Sequence, residues 1–134
     1  MANTTADGRL RCKIGRLTVA QVNASTLVLP ARAGESYIIV GGWFVATGTA
    51  GTATSIDVID QTTHTVAVAV AAGNLTNGTH APFLAGSGVT WTTFGTALGA
   101  GEGVRISKTY GGGDVTTTTF LDYCLEYLIV PSQV

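Results

Sequence analysis

An all-β chain is predicted: a single antiparallel two-sheet sandwich, jelly-roll-like, with about eight strands. Three observations predict it. Short runs of β-branched and aromatic residues alternate with a period of two. Turn signals rich in Gly, Pro, Asn and Asp punctuate those runs throughout the chain. No stretch sustains the 3.6-residue period of an amphipathic helix, and no helix is expected. Short strands with no helices between them close into a sandwich or barrel, and 134 residues suit a jelly roll. An immunoglobulin-like sandwich is the rival. Its usual Cys–Trp–Cys spacing is missing, because Cys12 and Cys124 stand at opposite ends of the chain.

Residues 10–22, "LRCKIGRLTVAQV", alternate in part and read as the first strand. "TLVLP" at 26–30 is a second, stopped by Pro30. A turn at Gly34 leads into a long third strand over 36–46. Strict alternation puts Tyr37, Ile39, Trp43 and Val45 on one face, and Ile38, Val40 and Phe44 on the other. A strand apolar on both faces lies between layers or under a partner. Gly41–Gly42 in its middle predicts a bulge or a close backbone approach. "SIDVID" at 55–60 turns Ile56 and Val58 inward and Asp57 outward. "TVAVAVAA" follows, with Val66, Val68 and Val70 on one face and alanines on the other. Asn77–Gly78 marks a tight turn, and Pro82 confines "HAPFLAGSG" to a loop or short edge strand. "VTWTTF" at 89–94 and "GVRISKTY" at 103–110 are further strands. "GGGD" at 111–114 is a hairpin tip, and a last strand runs from about 115 to 130.

The chain reads as one domain over 17–134, preceded by a polar, basic arm over 1–16 that runs into the first strand. Charged residues make up 11%, less than half the roughly 25% of an ordinary soluble domain. Mean hydropathy is positive, yet no apolar run approaches the ~18 residues of a membrane helix. Such a composition predicts surface hidden against partners. A net charge of −1 argues against nucleic acid as the partner. Four N-x-[S/T] sequons begin at Asn3, Asn23, Asn74 and Asn77. They read as accidental among 22 threonines, with no charged-then-apolar leader at the start.

No catalytic constellation is found, so an enzyme is not expected, nor any cofactor or metal. The nucleophile elbow G-x-S-x-G and the phosphate loop are absent, and "GAGEG" at 99–103 lacks a βαβ unit around it. His64 and His80 have no neighbours at ligand spacing. In "TTTTFLDYCLEYLIVP", Asp122, Cys124 and Glu126 resemble chemistry at first sight. As a strand, however, this stretch separates the two acids by about 13 Å, at ~3.3 Å per residue. That exceeds the roughly 5–9.5 Å of a glycosidase pair. The opposite face, Leu121, Tyr123, Leu125, Tyr127 and Ile129, is unbroken, which favours the strand. The acids then form a seam. Arg9, Arg11, Lys13 and Arg16 are candidates to dock on an acidic surface or to guard an edge strand. If Arg11 and Lys13 meet Asp122 and Glu126, Cys12 points away from Cys124 and both thiols stay free.

Three stretches resemble the small virion proteins of tailed bacteriophages. They are the Pro30–Tyr37 turn into a long apolar strand, the step Leu98–Ile106 ("LGAGEGVRI"), and the aromatic closing strand Phe120–Val130. The resemblance implies a non-enzymatic capsid cement (decoration) protein, or else a tail or fibre component. A cement protein would lie on the outer surface of the virion and bind the major capsid protein at subunit junctions. It would also bind itself as a homo-oligomer, a trimer ahead of a dimer. Trp43, Phe44, Tyr123 and Tyr127 are the expected oligomer anchors. The alternative is a glycan-binding module of the same fold, with Trp91 beside Asn74–Asn77.

Overall fold

The computed structural model describes residues 9–48, 53–84, 86, 88–92, 96–110, 112–116 and 118–132. Among these, nine strands form: β1 (Arg11–Thr18), β2 (Thr26–Leu29), β3 (Glu35–Thr47), β4 (Ser55–Asp60), β5 (Val66–Ala71), β6 (His80–Pro82), β7 (Val89–Trp91), β8 (Val104–Lys108) and β9 (Phe120–Pro131). They make two antiparallel sheets, ordered β1-β9-β3-β6 and β2-β8-β4-β5-β7. The pairing is nested: β4 with β5, β3 with β6, β2 with β8, β1 with β9. One long hairpin, rolled so that its ladders alternate between two sheets, is a jelly roll. Only the three-residue β7, on the edge beside β5, stands outside the nest. The arm boundary expected after residue 16 falls inside β1, and residues 1–8 lie outside the described residues.

One expectation fails just after β1. The first strand does not run to residue 22, because a one-turn helix, α1 (Val19–Asn23), interrupts it. Thr18 and Gln21 form a capping box: the Thr18 hydroxyl accepts from Gln21 N at 3.2 Å, and Gln21 Oε1 accepts from Thr18 N at 2.9 Å. Val22, wholly buried, anchors the turn to the core. Asn23 then clamps Val115 through both of its backbone groups, at 2.8 and 2.9 Å. The last strand begins at Phe120, beyond that clamp.

The bulge expected in β3 is present and changes the reading of that strand. The register with β9 skips between Ile39 and Gly41. Tyr37 and Ile39 face the core before the skip, and Phe44 and Ala46 face it afterwards. Strict alternation had put Trp43 and Val45 with Tyr37. The extra residue moves them to the outer face, beside Ile38. Gly42 makes this possible. Its φ is +138°, and a Cβ there would strike the Cys124 carbonyl oxygen and approach Phe83 to 2.8 Å.

Between the sheets lies one core that includes Leu17, Phe44, Val58, Val68, Ile106 and Leu125. Each such side chain, fully buried, stabilises the fold by roughly 1.5–3 kcal/mol. Phe44 and Phe83 meet edge to face at 4.8 Å. The buried Tyr37 hydroxyl donates to the Pro30 carbonyl at 2.7 Å.

Strand β4 is buried along its whole length, Asp57 included, at 4% exposure. Its side chain does alternate away from Ile56 and Val58, as the pattern predicts, but it does not reach water. It lies between Ser107 of β8 and Ala69 of β5 and accepts from the Ser55 hydroxyl at 2.6 Å. Burial raises the Asp57 carboxyl above its ordinary value of 3.8, and the Ser55 hydrogen bond offsets this only in part. The folded chain therefore holds this proton more tightly than the unfolded chain. That contribution to stability is complete below the unfolded value and is lost as pH rises through the folded one. Asp57→Asn has no charge to desolvate and keeps an acceptor for Ser55. It is expected to raise the melting midpoint at pH 7 and to leave it unchanged near pH 3. An equal shift at both pH values would exclude carboxylate desolvation as the cause.

Candidate functional site

The outer face of the first sheet is the candidate site. Strand β9 sends Leu121, Tyr123, Leu125 and Ile129 into the core, so Asp122, Cys124, Glu126 and Leu128 point outward. Two ladders extend these into rows across the sheet. Asp122 lies between Arg16 and Val45, Cys124 between Ile14 and Trp43, Glu126 between Cys12 and Gly41, and Leu128 beside Ile38. Pro82 and His80 continue the rows past Trp43 and Val45. A solvated face of an antiparallel sheet is normally polar. This one is apolar along its middle, and Ile14 is 67% exposed.

A cleft of about 780 Å³ opens where this face meets β6. The bulge residues Val40–Gly42 form its floor, with Trp43, Pro82, Phe83, Leu84, Trp91 and Glu126 around it. The Trp91 indole N–H donates to the Phe83 carbonyl at 2.7 Å, which fixes that ring at the cleft wall. Leu84 stands exposed at the rim. Glu126 lies against Gly41, where a Cβ would come within 2.8 Å of its Oε1. Among the described residues, no side-chain hydrogen bond or ion pair holds its carboxylate. An unpaired acceptor next to two indoles can take hydroxyl groups of a ligand whose body is apolar.

The basic and acidic candidates meet in a register different from the one expected. Arg16, not Arg11, stands opposite Asp122 and forms a fork, Nε to Oδ1 at 2.6 Å and Nη2 to Oδ2 at 3.0 Å. The Arg16 guanidinium also lies 4.8 Å over the Phe120 ring. Hydrogen bonding to Arg16 holds the Asp122 carboxyl below the ordinary carboxylate value. Arg11 and Lys13 pair with Tyr127 and Leu125, on the core-facing parity at an edge, where Lys13 is exposed and Arg11 is half-buried. Arg9 is exposed ahead of β1. The acids are thus a seam with one basic partner, and Glu126 faces Cys12. The same register puts Cys12 and Cys124 on one face, their sulfurs 3.0 Å apart; only the pairing of Arg11 and Lys13 with the two acids, which does not form, would point them away from each other.

Of the aromatic candidates, Trp43 lies on the outer face. Phe44 is fully buried, Tyr123 is 4% exposed, and Tyr127 packs edge to face on Tyr37 at 5.6 Å. These three face the chain's own second sheet. The proposed glycan set is not brought together either. Asn77 accepts from Gly48 N at 2.9 Å and Asn74 packs against Gly88, both as turn fasteners, whereas Trp91 joins Trp43 at the cleft. His64 stacks on Tyr110 at 4.2 Å and His80 leans on Trp43 at 5.7 Å. Among the described residues, no group of three His, Cys, Asp or Glu side chains could hold a metal ion.

Compared with known proteins, the chain matches no family model, no curated protein and no solved structure. The placement of the aromatics has a direct test. Phe44→Ala empties a core position and is expected to lower stability by about 3–5 kcal/mol in urea denaturation. A loss below about 1 kcal/mol would mean that Phe44 is not a core residue.

Proposed function

We propose that the chain is a structural protein that works by association, and that the outer face of its β1-β9-β3-β6 sheet is the contact. The observation that carries this reading is the apolar middle of that face: Ile14, Cys124 and Trp43 across the sheet, flanked by Val45, Leu128 and Ile38. The scarcity of charge in the chain supports it. Together with the stretches that resemble phage virion proteins, this favours a capsid decoration protein, bound to the major capsid protein on the outside of the shell. The proposed oligomer is a closed symmetric ring, a trimer ahead of a dimer. Arg9 and the residues before it are the proposed docking arm. Arg11 to Arg16 belong to β1, so the arm can be removed without the strand only up to residue 10.

Native mass measurement at tens of micromolar is expected to show the oligomer. Ile14→Lys is expected to give a monomer with an unchanged circular dichroism spectrum. Removing residues 2–9 is expected to keep the oligomer but reduce co-sedimentation with capsids. A wild-type monomer, or capsid binding indifferent to both changes, would refute the reading.

A second reading is favoured by the cleft: recognition of a neutral glycan. Trp43 and Trp91 offer ring faces to sugar C–H groups, and Glu126 accepts from hydroxyls. A glycan array probed with the wild-type chain is expected to give signals that Trp43→Ala abolishes. An array without signal removes this reading and leaves the first untouched.

A further inference from the structure

Strands β1 and β9 begin about a hundred residues apart in sequence and are neighbours in the sheet. Cys12 and Cys124, 112 positions apart, lie on the outer face of this pair. They are diagonal neighbours: Ile14 stands opposite Cys124, and Cys12 opposite Glu126. Their sulfurs are 3.0 Å apart, and a disulfide bond needs about 2.05 Å. Small side-chain rotations close a gap of that size, and the ladder already holds both backbones. The geometry points to Cys12 and Cys124 as a cross-link site, where a reversible disulfide ties the edge strand β1 to the central strand β9.

The two thiols have different roles. Cys12 is exposed and can be reached by a small disulfide in solution. Cys124 is buried, and burial, reinforced by the neighbouring Cys12 thiol and the charge of Glu126, pushes its thiol up to about 12. Cys124 therefore stays protonated and waits. The Cys12 thiolate attacks one sulfur of a low-molecular-weight disulfide such as oxidised glutathione, and the other half leaves as a thiolate. Cys124 then gives its proton to solvent or to that thiolate and attacks the Cys12 sulfur of the mixed disulfide. The second glutathione thiolate leaves. Two protein thiols are oxidised to one disulfide, and one glutathione disulfide is reduced to two thiols.

The consequence falls on β1. It is an edge strand held on one side only, and it carries the exposed Ile14 and the Arg16 fork. A bond at Cys12 fastens the start of the ladder and closes a loop of more than a hundred residues in the unfolded chain, which lowers the entropy of the unfolded state and so favours the folded one. Nothing in this inference depends on what the outer face binds.

The full chain is equilibrated with excess oxidised glutathione, quenched with iodoacetamide in denaturant, and weighed intact. The expected product has lost two hydrogen atoms and carries no alkyl group. Its melting midpoint is expected to lie about 10 °C above that of the reduced chain, given the loop length and domain size. Cys124→Ala is expected to keep one glutathione on Cys12. Cys12→Ala is expected to leave Cys124 unmodified in the native state. Double alkylation of the wild type, a persistent single glutathione adduct on it, or disulfide-linked dimers would overturn the proposal. The wild-type mass decides the question even if a cysteine variant fails to fold.

Discussion

Strand β9 carries the constraint on which the rest depends. It lies between β1 and β3, held over Arg11–Thr18 on one side and Glu35–Thr47 on the other. Because side chains alternate, one register settles two faces together. Tyr123 and Leu125 can enter the core only if Cys124 and Glu126 leave it. A slip of one residue would drive Asp122 and Glu126 inward at several kcal/mol each, and would strip the core of Leu121 and Leu125. The nesting of the hairpin makes this register affordable in entropy. Pairing β4 with β5 is local, and each pair formed shortens the loop that the next must close.

The bulge in β3 is the second determinant, and it acts through β9. Without it, Trp43 and Val45 would enter the core with Tyr37, and Phe44 would face outward. With it, the core takes Phe44 against Phe83, and the outer face receives a tryptophan beside Glu126. The cleft floor is the bulge itself, and the Phe83 amide donates to the Gly42 carbonyl at 2.9 Å to hold β6 against it. One glycine with an unusual φ thus links the strand's packing to the cleft on this face.

Much of the fold was legible, and the reasons for the exceptions are physical. Alternation and turn residues located the strands, because these are local signals. The Gly41–Gly42 pair announced a bulge, but not that the bulge would exchange the faces of Trp43 and Phe44. The capping box at Thr18–Gln21 was also written in the chain, and five residues are too few to show a helical period. The register between β1 and β9 was not legible. No turn joins these strands, and both faces of β1 mix charged and apolar residues, so nothing local chooses between Arg11 and Arg16 as the partner of Asp122. The thiol contact and the seam follow from that register and were missed with it. The cleft needed three segments, around residues 42, 83 and 91, whose meeting no periodicity records.

The two outer faces of the sandwich differ in how their polar groups are satisfied. On the second sheet, the outward groups satisfy one another. Ser55 shares its hydroxyl between Asp57 and Thr109, Ser107 donates to the Lys108 carbonyl, and Arg105 donates to the carbonyls of Gln61 and Ser25. Asp57 is sealed within that network at a cost in charge desolvation, which a face destined for a partner's polar groups would not need. The first sheet has the opposite character. Its outward side chains include the Arg16–Asp122 ion pair, the Cys12–Cys124 thiol pair and, among the described residues, an unpaired carboxylate at Glu126, set in apolar surface that the described residues leave partly open. Apolar area exposed in this way is a standing unfavourable free energy of about 25 cal/mol per Å², removed only by contact. The proposed association would remove that area on the β1-β9-β3-β6 side, and the closing strand that organises the core also sets the surface on which the proposal rests.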